Sequence, residues 1–303
     1  MHATAVTVRV PATSANLGCG FDCLGLALDL FASVTVTFSD GEHSPLDDVG
    51  ERMVITAARQ AYALMGKAPP AGIRARYGVA IPLGRGLGAS AVARVAGVLA
   101  ANELEGGPLS AEACLTVASE LEGHGDNACP ALYGGMQVCV HAGSRFLNAP
   151  CSYPKGLALA ILIPEHAMPT KEARKALPDG YSRADAVHNV GRAALFVAAM
   201  ANGRLDLLDE ATNDVIHQHQ RASMFPPMFD IFTAAKGAGA HAAWLSGAGS
   251  SVAAIAPEDG VRPVAAAMLA GLQAQGYEGR SLVTRISPAG ATVAKIELVD
   301  EPR

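Results

Sequence analysis

The sequence predicts an α+β fold of two domains. Strand-like and helix-like segments follow one another without the regular strand–helix–strand rhythm of a parallel sheet. The chain has 303 residues, half of them hydrophobic, and this length is comfortable for two hydrophobic cores. A turn at residues 153–156 precedes a continuous apolar run, which is typical of a buried strand. We therefore predict a first domain at residues 1–153 and a second at residues 154–303.

Periodicity predicts the elements of the first domain. Alternating apolar and polar residues indicate strands, and apolar residues three and four positions apart indicate helices. Ser110 is a predicted N-cap, because its hydroxyl can accept a hydrogen bond from the first helical turn. The polar stretch at residues 39–52 predicts a loop. In chain order we predict strands at 6–10 and 32–38, a helix at 51–64, a strand at 73–81, helices at 89–104 and 111–122, and a strand at 136–140.

The second domain contains more helix than strand. Pro263 suits the first turn of a helix, where a missing N–H group is not needed. In chain order we predict a strand at 157–163, helices at 184–201, 205–217 and 229–236, strands at 242–245 and 252–255, a helix at 263–275 and a strand at 291–298.

Composition and charge exclude several functions. The formal net charge is −5 and no run is rich in Lys or Arg, so nucleic acid is not an expected partner. The first ten residues lack the basic start and apolar core of a signal peptide, and no run of about 18 apolar residues predicts a membrane span. The six cysteines form no Cys-x-x-Cys pair, and no histidines accompany Cys19 and Cys23 as zinc ligands. These features predict free thiols, a cytoplasmic location and no membrane partner.

A glycine-rich loop at residues 82–91 is a candidate phosphate site. Its sequence, P-L-G-R-G-L-G-A-S-A, follows a predicted strand and opens a predicted helix. Gly84, Gly86 and Gly88 lack Cβ atoms, so backbone N–H groups can surround an anion, and the helix N-terminus adds partial positive charge. The glycine spacing matches neither a Walker A loop nor a dinucleotide fingerprint. A purely structural turn is the alternative, and Ser90 is placed to reach a phosphate or a metal ion.

Two further glycine-interrupted segments carry polar groups. Residues 11–26, P-A-T-S-A-N-L-G-C-G-F-D-C-L-G-L, contain Asn16 and Asp22 after a predicted strand. Residues 246–252, S-G-A-G-S-S-V, form a tight turn between short apolar strands and imply close backbone approach to a ligand or another segment. The alternatives are that Asn16 and Asp22 bond their own backbone and that the second segment is a plain hairpin.

In this order, the three segments resemble the motifs of the GHMP kinase superfamily, and within it those of the homoserine kinases. Further matches are L-E-G-H-G-D-N-A-C-P-A-L-Y-G-G at residues 121–135, P-T-K-E-A-R at 169–174 and the H-Q-H-Q-R run ending at Arg221. The resemblance extends from near residue 6 to about residue 256. The chain differs from the family pattern at Cys19, Ala89 and Gly125, at residues 249–251, and in the short segment 39–52, where the family's adenine-contacting Asn is not evident.

The resemblance implies a fold and an activity. The first domain would resemble domain 2 of ribosomal protein S5, the second would be ferredoxin-like, and the active site would lie between them. The implied enzyme is a phosphotransferase that moves the γ-phosphoryl group of ATP, with Mg²⁺, onto the hydroxyl of L-homoserine. The product would be O-phospho-L-homoserine, in threonine biosynthesis. Such families are usually dimeric, so a homodimer is an expectation.

The resemblance also implies site residues. The loop residues implied to hold ATP are Pro82, Leu83, Gly84, Arg85, Gly86, Leu87, Gly88, Ala89 and Ser90. Ser90 and Glu122 are the implied magnesium ligands, and a hydroxyl with one carboxylate suits this ion. Asn127 resembles the family residue beside the γ-phosphate.

The charges of a free amino acid fit the remaining residues. Arg174 and Arg221 can clamp its carboxylate, and Asp126 can pair with its ammonium. Asn16 and Asp22 resemble groups that orient the acceptor hydroxyl, which makes them catalytic candidates with Asn127. His124 and Gly247 complete the predicted substrate site. How Asp22 and Asp126 divide the hydroxyl and ammonium roles stays open. We expect that no single side chain is an indispensable base, because the γ-phosphate itself can receive the proton.

Two other functions remain open at this point. Another GHMP kinase would act on mevalonate, a sugar or a shikimate-like alcohol, none of which has an ammonium group for Asp126. A non-catalytic relative would bind ligand without transferring phosphate. The presence of Ser90, Glu122 and Asn127 argues against this second alternative.

Overall fold

The computed structural model describes residues 2–41, 48–79 and 81–300. Its strands form two antiparallel sheets within these ranges. The strands are β1 His2–Ala15, β2 Leu24–Ser39, β3 Gly72–Val79, β4 Met136–Ala142, β5 Arg145–Cys151, β6 Leu157–Pro164, β7 Ala242–Leu245, β8 Val252–Pro257, β9 Gly279–Thr284 and β10 Thr292–Asp300. The first sheet has the order β10-β1-β2-β4-β5, with β3 also paired to β2, and the second has the order β7-β8-β6-β9.

The helices divide between the two halves of the chain. The first half holds α1 Val49–Leu64, α2 Ala89–Leu104, α3 Ala111–Glu122 and α4 Ala128–Tyr133. The second half holds α5 Thr170–Lys175, α6 Arg183–Asn202, a 3₁₀ helix at Leu205–Leu207, α7 Leu208–Ala211, α8 Gln218–Arg221, α9 Met228–Gly237 and α10 Val261–Ala274. No helix in the described ranges is both long enough and apolar enough to cross a bilayer.

An apolar core joins the two sheets. Leu24 and Leu26 of β2 belong to the same buried cluster as Leu159 and Ile161 of β6 and Trp244 of β7. The other face of β6 packs against α9 and α10. Every position of β6 is therefore buried, which explains why its sequence is continuously apolar instead of alternating. Because the halves share this core, the cavity between them has walls held by tight packing.

The last strand lies in the first sheet. β10 pairs antiparallel with β1, from His2 opposite Asp300 to Arg9 opposite Thr292. The predicted boundary at residue 153 falls between β5 and β6, and this division stays a prediction. β10 comes from the C-terminal side of that boundary and is nevertheless hydrogen-bonded to the N-terminal sheet.

Local signals predicted several elements accurately. α2 and α3 have the predicted bounds, and Ser110 caps α3 by accepting a hydrogen bond from the backbone N–H of Ala113 at 3.2 Å. β7 is also confirmed. The short elements α4, α5, α8, β5 and β9 were missed, because four to seven residues carry too little periodicity to identify an element.

Several predictions were wrong at their boundaries. β2 begins at Leu24, eight residues before the predicted start at residue 32. β1 continues through Pro11 to Ala15, and its register with β2 shifts between Pro11 and Thr13. The predicted loop at 39–52 contains the end of β2 and the start of α1, where Asp48 accepts from the N–H of Glu51 at 2.6 Å. Residues 42–47 of that loop, and Ala80 of the predicted strand 73–81, lie outside the described residues.

The predicted helix at 205–217 is also wrong beyond Ala211. The Asp214 carboxylate accepts hydrogen bonds from the backbone N–H groups of Ile216, His217 and Gln218 at 2.7–3.1 Å. An aspartate that binds nearby N–H groups competes with helical hydrogen bonding, so the helix stops and a new turn starts at α8.

Candidate active site

A cavity of about 370 Å³ lies between the two halves of the chain. With one exception, the predicted site residues line it together. Those residues are Asn16, Asp22, Pro82, Leu83, Gly84, Gly86, Leu87, Gly88, Ala89, Ser90, Glu122, His124, Asp126, Asn127, Arg174, Arg221 and Gly247. The exception is Arg85, whose Nη2 donates to the backbone carbonyl of Glu165 at 2.8 Å.

The glycines of residues 82–90, which we call the phosphate loop, have left-handed backbone conformations. Gly84, Gly86 and Gly88 have φ values of +67°, +74° and +71°, which side chains with a Cβ rarely adopt. α2 begins directly after Gly88. The first N–H groups of a helix have no partner within it, so this end of the cavity offers backbone donors and a positive dipole end to an anion.

The phosphate loop touches both halves of the chain. A Cβ atom on Gly86 would lie 2.1 Å from the carbonyl oxygen of Ser246, and one on Gly88 would lie 1.9 Å from Oγ1 of Thr13. The N–H of Thr13 donates to the Leu87 carbonyl, and the N–H of Ser251 donates to the Arg85 carbonyl, both at 3.1 Å. The loop is therefore held between β1 and the turn at 246–251. Thr13 lies within segment 11–26 but was not among the residues predicted for the site.

Asn16 joins the first glycine segment to the third. Its Nδ2 donates to the carbonyl of Gly247 at 2.8 Å, and its Oδ1 accepts from the N–H of Asp22 at 3.0 Å. Asn16, Leu17 and Asp22 all have positive φ, at +69°, +47° and +57°. Left-handed residues other than glycine are costly and cluster at functional sites. The structural alternative is confirmed for Asn16, whose side chain bonds nearby backbone and also fixes the position of Gly247. It is wrong for Asp22, whose carboxylate bonds Arg174 instead.

The segment at 246–251 is a hairpin connection between the paired strands β7 and β8, as the structural alternative predicted. It also contacts the other two segments. Ser246 Oγ donates to the Gly86 carbonyl and lies 2.8 Å from Oγ of Ser14, and the N–H of Gly247 donates to the Ala15 carbonyl at 3.1 Å. The close backbone approach predicted from its glycines is therefore present.

Three acidic or basic groups meet at the floor of the cavity. Ligand atoms of Asp22, His124 and Asp126 all lie within 4.8 Å of one another. His124 Nδ1 is hydrogen-bonded to Asp126 Oδ1, and both side chains are buried. Burial alone would lower the pKa of His124, but the Asp126 carboxylate outweighs burial and raises it. A positive charge on His124 is therefore favoured beside Asp126.

The two predicted arginines lie near one another and differ in environment. Arg174 makes a bidentate ion pair with Asp22, at 2.7 and 3.0 Å. Hydrogen bonding to Asp22 raises the pKa of Arg174. Arg221 is only 2% exposed, and burial, with the nearby Arg174, lowers its pKa to about 10. Both guanidinium groups lie over the Phe21 ring, 5.6 and 5.5 Å from its centroid. Two cations thus converge on one wall of the cavity.

His217 holds Arg221 and was not identified from the sequence. Its Nε2 lies 2.8 Å from the carbonyl oxygen of Gly18, which can only accept a hydrogen bond. Nδ1 is then the unprotonated nitrogen, and it accepts from Nη1 of Arg221 at 3.1 Å. Complete burial lowers the pKa of His217, which favours this neutral form. The four-residue spacing in H-Q-H-Q-R was the available signal, because it places His217 and Arg221 on one face of a helical turn.

Ser90 and Glu122 form the predicted metal-binding pair. Ser90 Oγ donates to Oε2 of Glu122 at 3.0 Å. Oε1 of Glu122 is buried without a hydrogen-bond partner, although Nε of Arg94 lies 2.8 Å away as a poorly aligned ion pair. A hydroxyl beside a carboxylate fits a hard divalent cation that keeps several waters. Arg94, which the sequence did not suggest, supplies positive charge on the far side of this carboxylate.

The buried neutral form of His217 predicts a pH dependence of stability. In the unfolded chain His217 takes up a proton near its ordinary pKa of about 6.5, whereas the folded protein resists this protonation. Above about pH 6.5 the neutral His217 side chain makes its full contribution to the free energy of unfolding. As the pH falls below this value, that contribution is lost at up to ~1.4 kcal/mol per pH unit.

The measurement is urea denaturation of the wild type and the His217→Gln variant between pH 7.5 and 5.0. Glutamine can donate to Gly18 and accept from Arg221 but does not titrate. The difference in free energy of unfolding between the two proteins should shrink as the pH falls. A difference that is constant over this range would contradict the neutral assignment.

Known families match this chain in sequence. The model for the GHMP kinases N terminal domain matches residues 52–135, and that for the GHMP kinases C terminal matches residues 196–273. A homoserine kinase from Synechocystis sp. is 37% identical over 304 residues, covering 96% of this chain and 98% of that protein. A homoserine kinase from Deinococcus radiodurans is 44% identical over 257 residues, covering 81% of this chain and 82% of that protein.

Solved structures match the fold as well. The crystal structure of homoserine kinase from Cytophaga hutchinsonii has a TM-score of 0.85 and 29% identity, covering 96% of this chain and 97% of that chain. The L. major mevalonate kinase in complex with R-mevalonate, at a TM-score of 0.67 and 17% identity, shares the fold. The predicted two-domain α+β architecture is confirmed. The chain belongs to the GHMP kinases, and within them to the homoserine kinase family.

Proposed function

We propose that this protein transfers the γ-phosphoryl group of ATP to the side-chain hydroxyl of L-homoserine, producing O-phospho-L-homoserine and ADP in threonine biosynthesis. Relatives named homoserine kinase support this reaction. The composition of the cavity also supports it. The phosphate loop and a pocket of two arginines and two aspartates line the same cavity. Bare backbone amides suit phosphate, and paired opposite charges suit an amino acid.

ATP occupies the cavity with its terminal phosphates at residues 82–90 in this proposal. The N–H groups of the phosphate loop and of the first turn of α2 donate to the phosphate oxygens. Ser90, at the second helical position, adds a hydroxyl there. Arg85 contributes backbone only, because its side chain points to Glu165. Although the protein is mildly acidic, the backbone dipoles of the phosphate loop and of α2 create a positive potential where the phosphates bind.

Magnesium is the proposed metal, with Ser90 and Glu122 as its protein ligands. When bound, it would neutralise charge on the nucleotide phosphates. Both side chains line the cavity beside the phosphate loop, and the 3.0 Å separation of Ser90 Oγ from Oε2 of Glu122 supports these two ligands. The role of Arg94 is to hold the Glu122 side chain, 2.8 Å from Oε1, while its other oxygen faces Ser90.

The acceptor pocket is proposed to recognise a zwitterion. Arg174 and Arg221 receive the carboxylate, and Asp126 receives the ammonium group. Before the acceptor binds, Arg174 is paired with Asp22 and Asp126 with His124. The arriving carboxylate and ammonium group each meet a partner of opposite charge, and the released Asp22 and His124 lie close to each other, so binding exchanges ion pairs. Gly247 lines this pocket with its carbonyl already bonded to Asn16 and Arg221.

The hydroxyl oxygen of the acceptor attacks the γ-phosphorus, and the bond from that phosphorus to the bridging oxygen of ADP breaks. Asn16 and Asp22 orient the hydroxyl, and Asn127 lies beside the transferred group. In this proposal the hydroxyl proton passes to an oxygen of the transferred phosphoryl group, which can itself receive it, so no side chain is indispensable as base.

The Asp22→Asn variant tests this proton transfer. Asparagine has the same shape and tolerates the left-handed backbone at this position. We expect the KM for L-homoserine to rise and kcat to fall by less than about tenfold, because a lost general base would cost roughly 10²–10⁴-fold. Steady-state kinetics with both substrates give these values. Loss of all turnover in a variant that still binds both substrates would contradict the proposal.

A second GHMP acceptor is the main alternative, and a non-catalytic binding protein is another. The discriminating assay measures ADP release with L-homoserine, mevalonate and galactose. We expect kcat/KM for L-homoserine to exceed the others by roughly a hundredfold, the scale of an unmade hydrogen bond to a charged group. Removing magnesium should abolish turnover. Preference for mevalonate or galactose would overturn the acceptor, and ATP binding without phosphoryl transfer to any amino alcohol would indicate a binding protein.

The cellular setting extends the same proposal. A biosynthetic kinase that consumes ATP belongs in the cytoplasm, and the six cysteines are all free thiols in the structure, as expected there. A small-molecule acceptor is proposed as the partner, with neither nucleic acid nor membrane. A homodimer stays a proposal that sedimentation or light scattering can test.

A further inference from the structure

A buried hydroxyl links the phosphate loop to Asn127. Thr13 has no solvent exposure, and its Oγ1 donates to Oδ1 of Asn127 at 2.8 Å. The two residues are 114 positions apart in the sequence. The same threonine donates its backbone N–H to Leu87 and packs its Oγ1 against Gly88. Thr13 therefore contacts the nucleotide side of the cavity and Asn127 at once.

We propose that Thr13 is a positioning residue that fixes the amide of Asn127. Its hydroxyl holds Oδ1 beside Gly88 of the phosphate loop, which leaves Nδ2 as the amide atom available to the phosphoryl group in transfer. This inference rests on the proposed function, in which Asn127 lies beside that group. A donor is needed there, because the transferred group is anionic.

The orientation of the Asn127 amide follows from its neighbours on both sides. Asn127 Nδ2 lies 3.3 Å from Oδ1 of Asp126. A flipped amide would place its oxygen against this carboxylate oxygen, and two acceptors repel. The Thr13 hydroxyl then completes the arrangement by donating to the amide oxygen on the opposite side. Asn127 itself is only 9% exposed, so water is poorly placed to replace the hydroxyl.

The local fold directs Thr13 towards Asn127. The pairing of β1 with β2 shifts register between Pro11 and Thr13, and irregularities of this kind re-aim side chains near active sites. The next residue, Ser14, has its Oγ bonded to Nε1 of Trp244 and to Ser246 in the second half of the chain. Consecutive strand residues point to opposite faces, so Thr13 is left facing the phosphate loop.

The test is a double-mutant cycle. Thr13→Val removes the hydroxyl, Thr13→Ser keeps it, and each is made in the wild type and in an Asn127→Ala background. We expect Thr13→Val to lower kcat roughly tenfold, the scale of one hydrogen bond, with little change in the KM for ATP. Thr13→Ser should recover kcat to within about twofold. In the Asn127→Ala background, replacing Thr13 should have no further effect.

The control is Thr7→Val, on the same strand. Thr7 pairs its hydroxyl with Thr35 at 2.8 Å, away from the cavity, and its loss should leave kcat unchanged. Equal losses from Thr13→Val in both backgrounds would overturn the proposal, as would a raised KM for ATP with unchanged kcat. If Thr13→Val does not fold, Thr13→Ser alone decides, because a kcat far below wild type there would contradict the proposal.

A second readout does not depend on turnover. The side-chain amide protons of Asn127, assigned by comparison with the Asn127→Asp protein, report its hydrogen bonds in the NMR spectrum. Thr13→Val should shift them, and Thr13→Ser should not. Unchanged shifts in Thr13→Val would overturn the positioning role. Failure of the wild type to phosphorylate L-homoserine would instead refute the proposed function.

Discussion

The close approach of three glycine segments is the constraint on which the rest of this structure depends. The phosphate loop has glycine where it meets the other two segments, since a Cβ at Gly86 or Gly88 would overlap Ser246 or Thr13. Backbone hydrogen bonds from Thr13 and Ser251 then fasten the loop to both halves of the chain. A loop held in this way presents its amides in a fixed arrangement, so little reorganisation is needed when phosphate binds.

Charge in the cavity is balanced internally in the absence of ligand. Asp22 faces Arg174, Asp126 faces His124, and buried Arg221 is held by His217 and two backbone carbonyls. Under the proposed function a zwitterion exchanges partners with these pairs. Its carboxylate meets Arg174 and Arg221 and its ammonium group meets Asp126, while Asp22 and His124 remain close to each other, which limits the cost of an unpaired buried charge. A neutral or singly charged alcohol would gain fewer charged contacts from the same groups, and under the proposed function this difference favours an amino acid as acceptor.

Sequence patterns predicted what is local and failed where distant residues decide. The phosphate loop, α2 and the Ser110 cap follow from neighbouring residues, so their prediction needed no tertiary information. The pocket residues were named through family resemblance, since no local pattern joins Asp22 to Arg174 across 152 positions. The pairing of β10 with β1, the Thr13–Asn127 bond and the role of His217 depend on contacts that only the folded chain creates. The predicted helix at 205–217 stops early because the Asp214 side chain accepts hydrogen bonds from the following backbone N–H groups. The spacing of apolar residues does not reveal this interaction.

The most direct test is a crystal structure of the protein with magnesium, L-homoserine and a non-hydrolysable ATP analogue. The account predicts the terminal phosphates on the backbone amides of residues 84–90, and the carboxylate of L-homoserine on Arg174 and Arg221. Its hydroxyl should be in line with the γ-phosphorus. A nucleotide bound away from the phosphate loop, or an acceptor carboxylate that meets neither arginine, would contradict it.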